Sequence, residues 1–306
     1  MREQDMLLKY ENCLICPRKC GVNRYEARGF CGMGTVPSVN LTMLHHGEEP
    51  PISGTSGSGA VFFEGCSLKC CFCQNFDISR GPTAAGTPAG ASELVSMYMK
   101  LQEQGAHNIN LVTGSHFIPT IAVSIERARD LGLTVPVAFN SSGYESVESL
   151  KMLDGLIDIY MPDMKFYSGK LSAVLAGAPD YFEICRQALD EMFRQTGPAV
   201  IREDGLMSRG MIVRHLMLPG QLFDTKKILD YLCGIFGNDI YISLMNQYTP
   251  MEYLYPDMKL PEFMQRKLPQ GHYKAAAEYL SIMDQVNAFI QEEDASGDEL
   301  LPGFNH

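Results

Sequence analysis

From Ala60 onward, short β-rich apolar runs alternate with longer stretches whose apolar residues recur at helical spacing, the pattern of repeated β-α units and a parallel sheet. Six runs read as strands: Ala60 to Glu64, Asn108 to Thr113, Val135 to Asn140, Ile157 to Met161, Met211 to Met217 and Ile240 to Met245. Between them, Ser92 to Gln104 sets Leu94, Val95, Tyr98 and Leu101 on one helical face behind a Ser cap, and Pro119 to Asp130 carries Pro in its first turn. Ser146 to Leu153, Ala178 to Thr196 and Thr225 to Phe236 supply further helices, and Tyr273 to Ile290 reads as a last helix closing one side of the domain. Six such units build either an incomplete barrel or an open doubly wound sheet, and periodicity does not separate the two. In both, ligands collect at the carboxyl ends of the strands. Chemistry is therefore expected just after each strand.

Residues 1–59 break this pattern, with one cysteine cluster, few periodic apolar runs and then GEEPPISGTSGSG, which reads as a connector into the first strand. The expected organisation is a metal-binding module and linker over 1–59, a core over 60–250, and a helical extension with an acidic tail over 251–306. The glycines from Gly54 to Gly59 do not make a phosphate loop, because they precede a strand and no Gly-Lys-Ser/Thr follows. With 306 residues, 45% of them hydrophobic, the chain can bury one large core. The net charge of −11 gathers partly in the tail QEEDASGDEL, and no dense Lys/Arg run appears, which argues against nucleic acid as a partner. No apolar run is long enough to span a bilayer and the start MREQDMLLKYENC lacks the apolar core of a secretory signal, so a cytoplasmic protein without a membrane partner is expected. Eight of the ten cysteines fall in two clusters, which favours metal ligation in a reducing compartment over disulfides.

The informative cluster is EGCSLKCCFCQN, directly after the first strand, where Cys66, Cys70 and Cys73 stand at C-x3-C-x2-C. That spacing can place three thiolates around one iron–sulfur cube while its fourth iron has no protein ligand, which is the arrangement of a reactive site rather than a structural one. Cys71, between two ligands, is given no role. The earlier cluster, Cys13, Cys16, Cys20 and Cys31, can close a tetrahedral zinc site or hold a second iron–sulfur cluster, with Gly21, Gly29 and Gly32 permitting tight turns. Cys185 and Cys233 lie in helical stretches and read as small buried apolar residues. Asp163 and Lys165, two apart on one face of an extended segment, can pair through a charge-assisted hydrogen bond. Arg214 and His215 are neighbours on a strand, so only one can face a cavity; an inward charge needs a partner or an anionic ligand, which points to Arg214. His116, His215 and Asn246 to Tyr248 receive no firm role.

The cysteine loop, with Phe72 just before its third cysteine, resembles the signature of radical S-adenosylmethionine enzymes. Within that superfamily the chain is similar to the activating enzymes of glycyl-radical enzymes, and more narrowly to pyruvate formate-lyase activating enzymes. The segments CLICPRKCGVNR, VRHLMLPG and SLMNQYTP carry the narrower likeness, which spans roughly residues 12 to 250. The resemblance implies an α/β fold, a partial (β/α)6 TIM-like barrel with a small N-terminal Cys-rich metal-binding module. It implies a [4Fe-4S] cluster that reductively cleaves S-adenosylmethionine to a 5'-deoxyadenosyl radical, which removes a hydrogen atom from a glycine of a partner enzyme.

Around the cofactor the resemblance implies Phe72, Asn75, Asn140, Asp163, Lys165 and Arg214. It also implies the turn Thr113-Gly114-Ser115, where this sequence lacks the acid of the related Gly-Gly-Glu turn. Ser142 fits a similar polar role. No catalytic residue is expected beyond the cluster ligands, and a flavodoxin- or ferredoxin-like protein is the expected electron donor. The alternatives are the same radical directed at another peptide or a small molecule, and a non-catalytic iron–sulfur or zinc binding protein.

Overall fold

The structure is a computed structural model and describes residues 3–251, 259–283, 287–291 and 304. Its strands are β1 (Ser38–His45), β2 (Ser58–Phe63), β3 (Thr87–Pro88), β4 (Ile109–Val112), β5 (Val137–Ser141), β6 (Ile159–Pro162), β7 (Val200–Ile201), β8 (Met207–Leu216), β9 (Tyr241–Met245) and β10 (Asn287–Ile290). They form one sheet in the order β10-β9-β8-β6-β5-β4-β2-β1-β3, with β7 paired to β8. Every pairing from β2 to β10 along that order is parallel. β1 and β3 extend the β2 edge in antiparallel fashion. The six strands read from the apolar runs are β2, β4, β5, β6, β8 and β9; β2 and β5 are buried at every position, as parallel strands covered on both faces must be.

Alternation along the strands separates the two faces of the sheet. Val61, Phe63, Leu111, Phe139, Tyr160, Val213, Ile242 and Leu244 join the large core that includes Leu94, Tyr98, Ile121, Ile125, Leu189, Met192, Ile228 and Leu232. These come from the helices Ala91–Glu103, Ile118–Asp130, Tyr181–Thr196 and Leu222–Phe236. The intervening strand residues face the other way and form two small clusters, Ala138, Ile159, Met161 and Ile212 with Ile52, and Ala60, Phe62 and Val112 with Ile78. A doubly wound sheet would carry long helices on both faces. Here they pack on one face, and the sheet curls around the other.

The curl is visible at the rim. Gln74, after β2, donates from Nε2 to the Gln247 carbonyl, after β9, at 3.1 Å. Phe72 meets Tyr248 edge-on with ring centroids 6.4 Å apart. The fold is thus of the expected α/β class with a parallel-rich sheet curved into a partial barrel.

Two segments differ from the sequence reading. Residues 38–59, taken as the end of a module and a connector, supply β1, register-paired with β2 from Val39↔Phe63 to His45↔Ser58, and a short helical turn, Pro50–Ser53, under the barrel interior. Gly and Pro there set turns close against the sheet rather than a free linker: Gly59 approaches so near that a Cβ would lie 2.8 Å from the Asn108 carbonyl. The helix read over Tyr273 to Ile290 ends at Ser281, and Asn287–Ile290 forms β10 beside β9, with Phe289 stacked on Tyr241 at 5.1 Å. An open sheet edge won over a helical spacing too short to be decisive. The acidic tail after Gln291 lies outside the described residues. Among the described residues no helix is long and apolar enough to cross a membrane.

Candidate functional site

The carboxyl ends of the barrel strands open into one cavity of about 590 Å³, bordered by Cys66, Cys70 and Cys73. The loop that carries them leaves β2 through Gly65, whose φ of +80° favours glycine and where a Cβ would lie 2.8 Å from the Cys31 carbonyl. Four successive carbonyls of the loop are taken by two guanidiniums. Arg18 donates to Ser67 at 2.8 Å and Leu68 at 3.2 Å, and Arg80 to Lys69 at 3.0 Å and Cys70 at 2.6 Å. Arg18 also reaches the carbonyls of Ala176 and Gly177, which ties the loop to the end of the helix Gly169–Ala176. Carbonyls so held leave loop amides for the cysteines, and the Leu68 and Lys69 N–H groups donate to Cys66 Sγ at 3.3 and 3.5 Å. Burial pushes the Cys70 and Cys73 thiols above their ordinary pKa, so metal ligation, which needs thiolates, would have to displace their protons.

Opposite the loop lies a network of buried charges. Lys165 Nζ donates to Asp163 Oδ2 at 2.5 Å, and Arg214 Nε to Asp163 Oδ1 at 3.1 Å. Arg214 also donates to Asn140 Oδ1 at 2.6 Å and to Glu48 Oε2 at 3.1 Å. Burial opposes ionisation of Asp163, but Lys165 and Arg214 outweigh it and hold the carboxyl below its usual pKa. Burial likewise opposes charge on Lys165, and Asp163 outweighs it and raises the ammonium. Strand alternation explains the orientation: Arg214 faces the cavity and bridges to Asp163 across the β6–β8 ladder. His215 faces outward between the Met164 carbonyl and Thr225 Oγ1, and burial lowers its pKa to about 4.

Phe72, Asn75, Thr113, Asn140, Ser142, Asp163, Lys165 and Arg214 all border the cavity. Gly114 and Ser115, expected at the cofactor, do not line it. Thr113 adopts φ +62°, a strained conformation for a β-branched residue, and this turns the chain away from the cavity after β4. Ser115 Oγ then donates to Glu145 Oε1 at 2.7 Å, and His116 Nε2 contacts the Glu64 carbonyl at 2.8 Å. Glu145 also accepts from Ser141 Oγ at 3.0 Å, and burial raises its pKa to about 7. The acid absent from the turn thus stands beneath it, contributed by the segment after β5.

Three further features were not found from sequence. Glu48 and Glu49 border the cavity although they sit in the supposed connector. Glu145 and the Arg18/Arg80 clamps carried no motif. Only the two adjacent acids before Pro50-Pro51, in the segment leading to the first barrel strand, offered a signal.

In the N-terminal segment Cys13, Cys16 and Cys31 are buried and Cys20 is partly exposed. Cys20 Sγ and Cys31 Sγ each lie 3.5 Å from the position a Gly29 Cβ would take, so both sulfurs flank that glycine. Among the described residues no group of three or more His, Cys, Asp or Glu side chains is drawn close enough to hold a single metal ion. A zinc ion with Zn–S bonds of about 2.3 Å needs such a tight group, whereas thiolates around a four-iron cube stand further apart. The donor set after β2, three thiols of one clamped loop with amides aimed at sulfur, fits the larger group in chemistry.

No family model matches the sequence. The chain is 31% identical over 258 residues to the uncharacterized protein MJ0674 of Methanocaldococcus jannaschii, covering 81% of this chain and 70% of that one. It belongs to the MJ0674 family. Among solved structures, this family member is similar to Streptococcus suis SuiB bound to S-adenosylmethionine, at TM-score 0.46 and 11% identity over 74% of this chain and 48% of that one. A second structure of Streptococcus suis SuiB gives TM-score 0.45 at 11% identity, with 74% and 47% covered. The methylornithine synthase PylB gives TM-score 0.45 at 15% identity, with 78% and 71% covered. The chain spans about half the length of SuiB, and all three likenesses are too weak to carry an activity across.

Proposed function

We propose that this protein is a radical S-adenosylmethionine enzyme, and that its reaction is the activation of a glycyl-radical enzyme. The observation that carries the reading is the C-x3-C-x2-C loop at the carboxyl end of β2, clamped by Arg18 and Arg80 and open to a cavity with a buried Asp163–Lys165–Arg214 network. Cys66, Cys70 and Cys73 would hold a [4Fe-4S] cluster, and Asn75, Thr113, Asn140, Asp163, Lys165 and Arg214 would bind S-adenosylmethionine. When bound there, the cluster supplies the electron that splits S-adenosylmethionine into methionine and a 5'-deoxyadenosyl radical, which takes a hydrogen atom from its substrate.

The chain's own residues have simpler tasks. The loop amides at Leu68 and Lys69 stabilise negative charge on Cys66 sulfur. Lys165 and Arg214 offer donors to the cofactor's carboxylate and ribose oxygens, pre-aligned by Asp163. Cys13, Cys16, Cys20 and Cys31 would hold a second metal centre, and Arg18, in the middle of that motif, joins it mechanically to the cluster loop. A flavodoxin- or ferredoxin-like protein would deliver the electron.

Anaerobic reconstitution with iron and sulfide, followed by reductant and S-adenosylmethionine, should yield 5'-deoxyadenosine by chromatography. Its persistent absence with a verified cluster refutes the radical reading. For the narrower reading, electron paramagnetic resonance of a mixture with a glycyl-radical enzyme should give a glycyl doublet; 5'-deoxyadenosine without the doublet, across such partners, leaves the radical directed at another peptide or a small molecule.

A further inference from the structure

Glu48 and Glu49 are adjacent on the segment between β1 and β2, both border the cavity, and their carboxylates are in opposite states. Glu48 is saturated: Oε1 accepts from Asn110 Nδ2 at 2.9 Å and Asn140 Nδ2 at 3.3 Å, and Oε2 from Arg214 at 3.1 Å. Glu49 Oε2 is shut from solvent and has no hydrogen-bond partner. The cavity's charges deepen the contrast. Lys165 and Arg214 are matched by Asp163 and Glu48 in a closed set of ion pairs. Glu49 is the surplus acid: no ion pair among the described residues reaches it, and Arg214, already bonded to Asp163 and Glu48, acts on it only from further off.

A buried carboxylate oxygen without a donor is costly, and native structures rarely leave one unexplained. The groups around Glu49 suit a particular visitor. Ser243 of β9 and its register partner Phe289 of β10 border the same cavity as Glu49. An orphaned carboxylate in a cavity that also presents an aromatic side chain is the chemistry that receives an alkylammonium or guanidinium group, with its charge on the acid and its stem along apolar surface.

We infer that Glu49 binds a cationic ammonium or guanidinium group of the substrate that enters this cavity. The inference names the substrate class for the radical reaction proposed above and rests on that reading for the chemistry, though not for the binding. The same cation can come from a free amine or from a Lys or Arg side chain of a protein segment.

The test is titration calorimetry on the full chain, reconstituted and saturated with S-adenosylmethionine but without reductant. Four probes serve: n-butylamine, n-butanol, the peptide acetyl-Gly-Lys-Gly-amide and its Nε-acetylated form. The wild type should bind each cationic probe at least about tenfold more tightly than its neutral counterpart. Glu49→Gln should bring the pairs to parity, and Glu49→Asp should retain part of the preference. A peptide tighter than butylamine assigns the cation to a protein side chain, and the reverse order assigns it to a free amine. Parity of charged and neutral probes in the wild type, which needs no variant to fold, overturns the inference, as does a preference that survives Glu49→Gln. Because binding is read without reduction, parity with intact 5'-deoxyadenosine formation sinks only this inference. A retained preference without 5'-deoxyadenosine sinks only the radical reading.

Discussion

Replacing Asp163 with Ala removes the acid that both cations of the cavity share. Its Oδ2 lies 2.5 Å from Lys165 Nζ and its Oδ1 3.1 Å from Arg214 Nε, with the Lys165 and Arg214 side chains only 21% and 15% exposed. Arg214 keeps Glu48 and Asn140, so the loss concentrates on Lys165, whose ammonium loses its ion-pair partner. Breaking a buried pair costs about 3–5 kcal/mol, and the open cavity places this one near about 3 kcal/mol. For a chain of this size that corresponds to a fall in melting temperature of roughly 5 °C by calorimetry. Asp163→Ala combined with Lys165→Met should recover at least about 1 kcal/mol relative to the sum of the single variants. Asp163 is held below the usual carboxyl pKa, so its contribution is present above the unfolded value of about 3.9 and is lost as pH falls through the lower folded value. The gap between wild type and Asp163→Ala should therefore narrow only in that acid range. Single variants that add to within about 0.5 kcal/mol, or a gap that closes near neutral pH, would refute the coupling.

Other outcomes follow from the same contacts. Triple replacement of Cys66, Cys70 and Cys73 by Ala should remove one cluster's iron and sulfide while metal bound near Cys13 remains, and elemental analysis reads both. Arg18→Met strips the donors from the carbonyls of Ser67, Leu68, Ala176 and Gly177, and should speed iron loss to a chelator several-fold while Arg18→Lys gives an intermediate rate. Glu145 has its folded pKa raised to about 7, so wild-type stability should fall by about 3 kcal/mol as pH rises from about 4.3 to 7, where the unfolded chain ionises first. Glu145→Gln should flatten that slope in urea titrations, and an unchanged slope means the carboxyl is charged when folded.

The barrel strands were legible because they are buried on both faces and therefore write continuous apolar runs, as in Ala60-Val61-Phe62-Phe63. The handedness of the covering was not: one-sided helix packing is a property of which alternate residues meet which helices, and only the placement of Val61 and Phe63 against one core and Ala60 and Phe62 against another reveals it. Asp163, Lys165 and Arg214 were legible because a charge within an apolar strand has few explanations. Glu48 and Glu49 were hidden by composition, since Gly, Pro and Ser mark a turn equally well in a linker and in a cavity wall. Ser115 was misplaced because the positive φ of Thr113 sends the following residues behind the sheet, and a β-branched residue announces no such turn. The strand at Asn287–Ile290 depended on a vacant edge of β9, which no local pattern encodes.

The incomplete barrel is fastened at its mouth by side-chain amides. Gln74 and Gln247 bond each other, and Gln291 Nε2 reaches Gln247 Oε1 at 3.0 Å. Such neutral bonds are each worth about 0.5–1.5 kcal/mol, so the whole fastening amounts to about 2–4 kcal/mol. Those bonds draw together the segments that follow β2, β9 and β10, so the barrel is joined through side chains at the point where its backbone ladder stops.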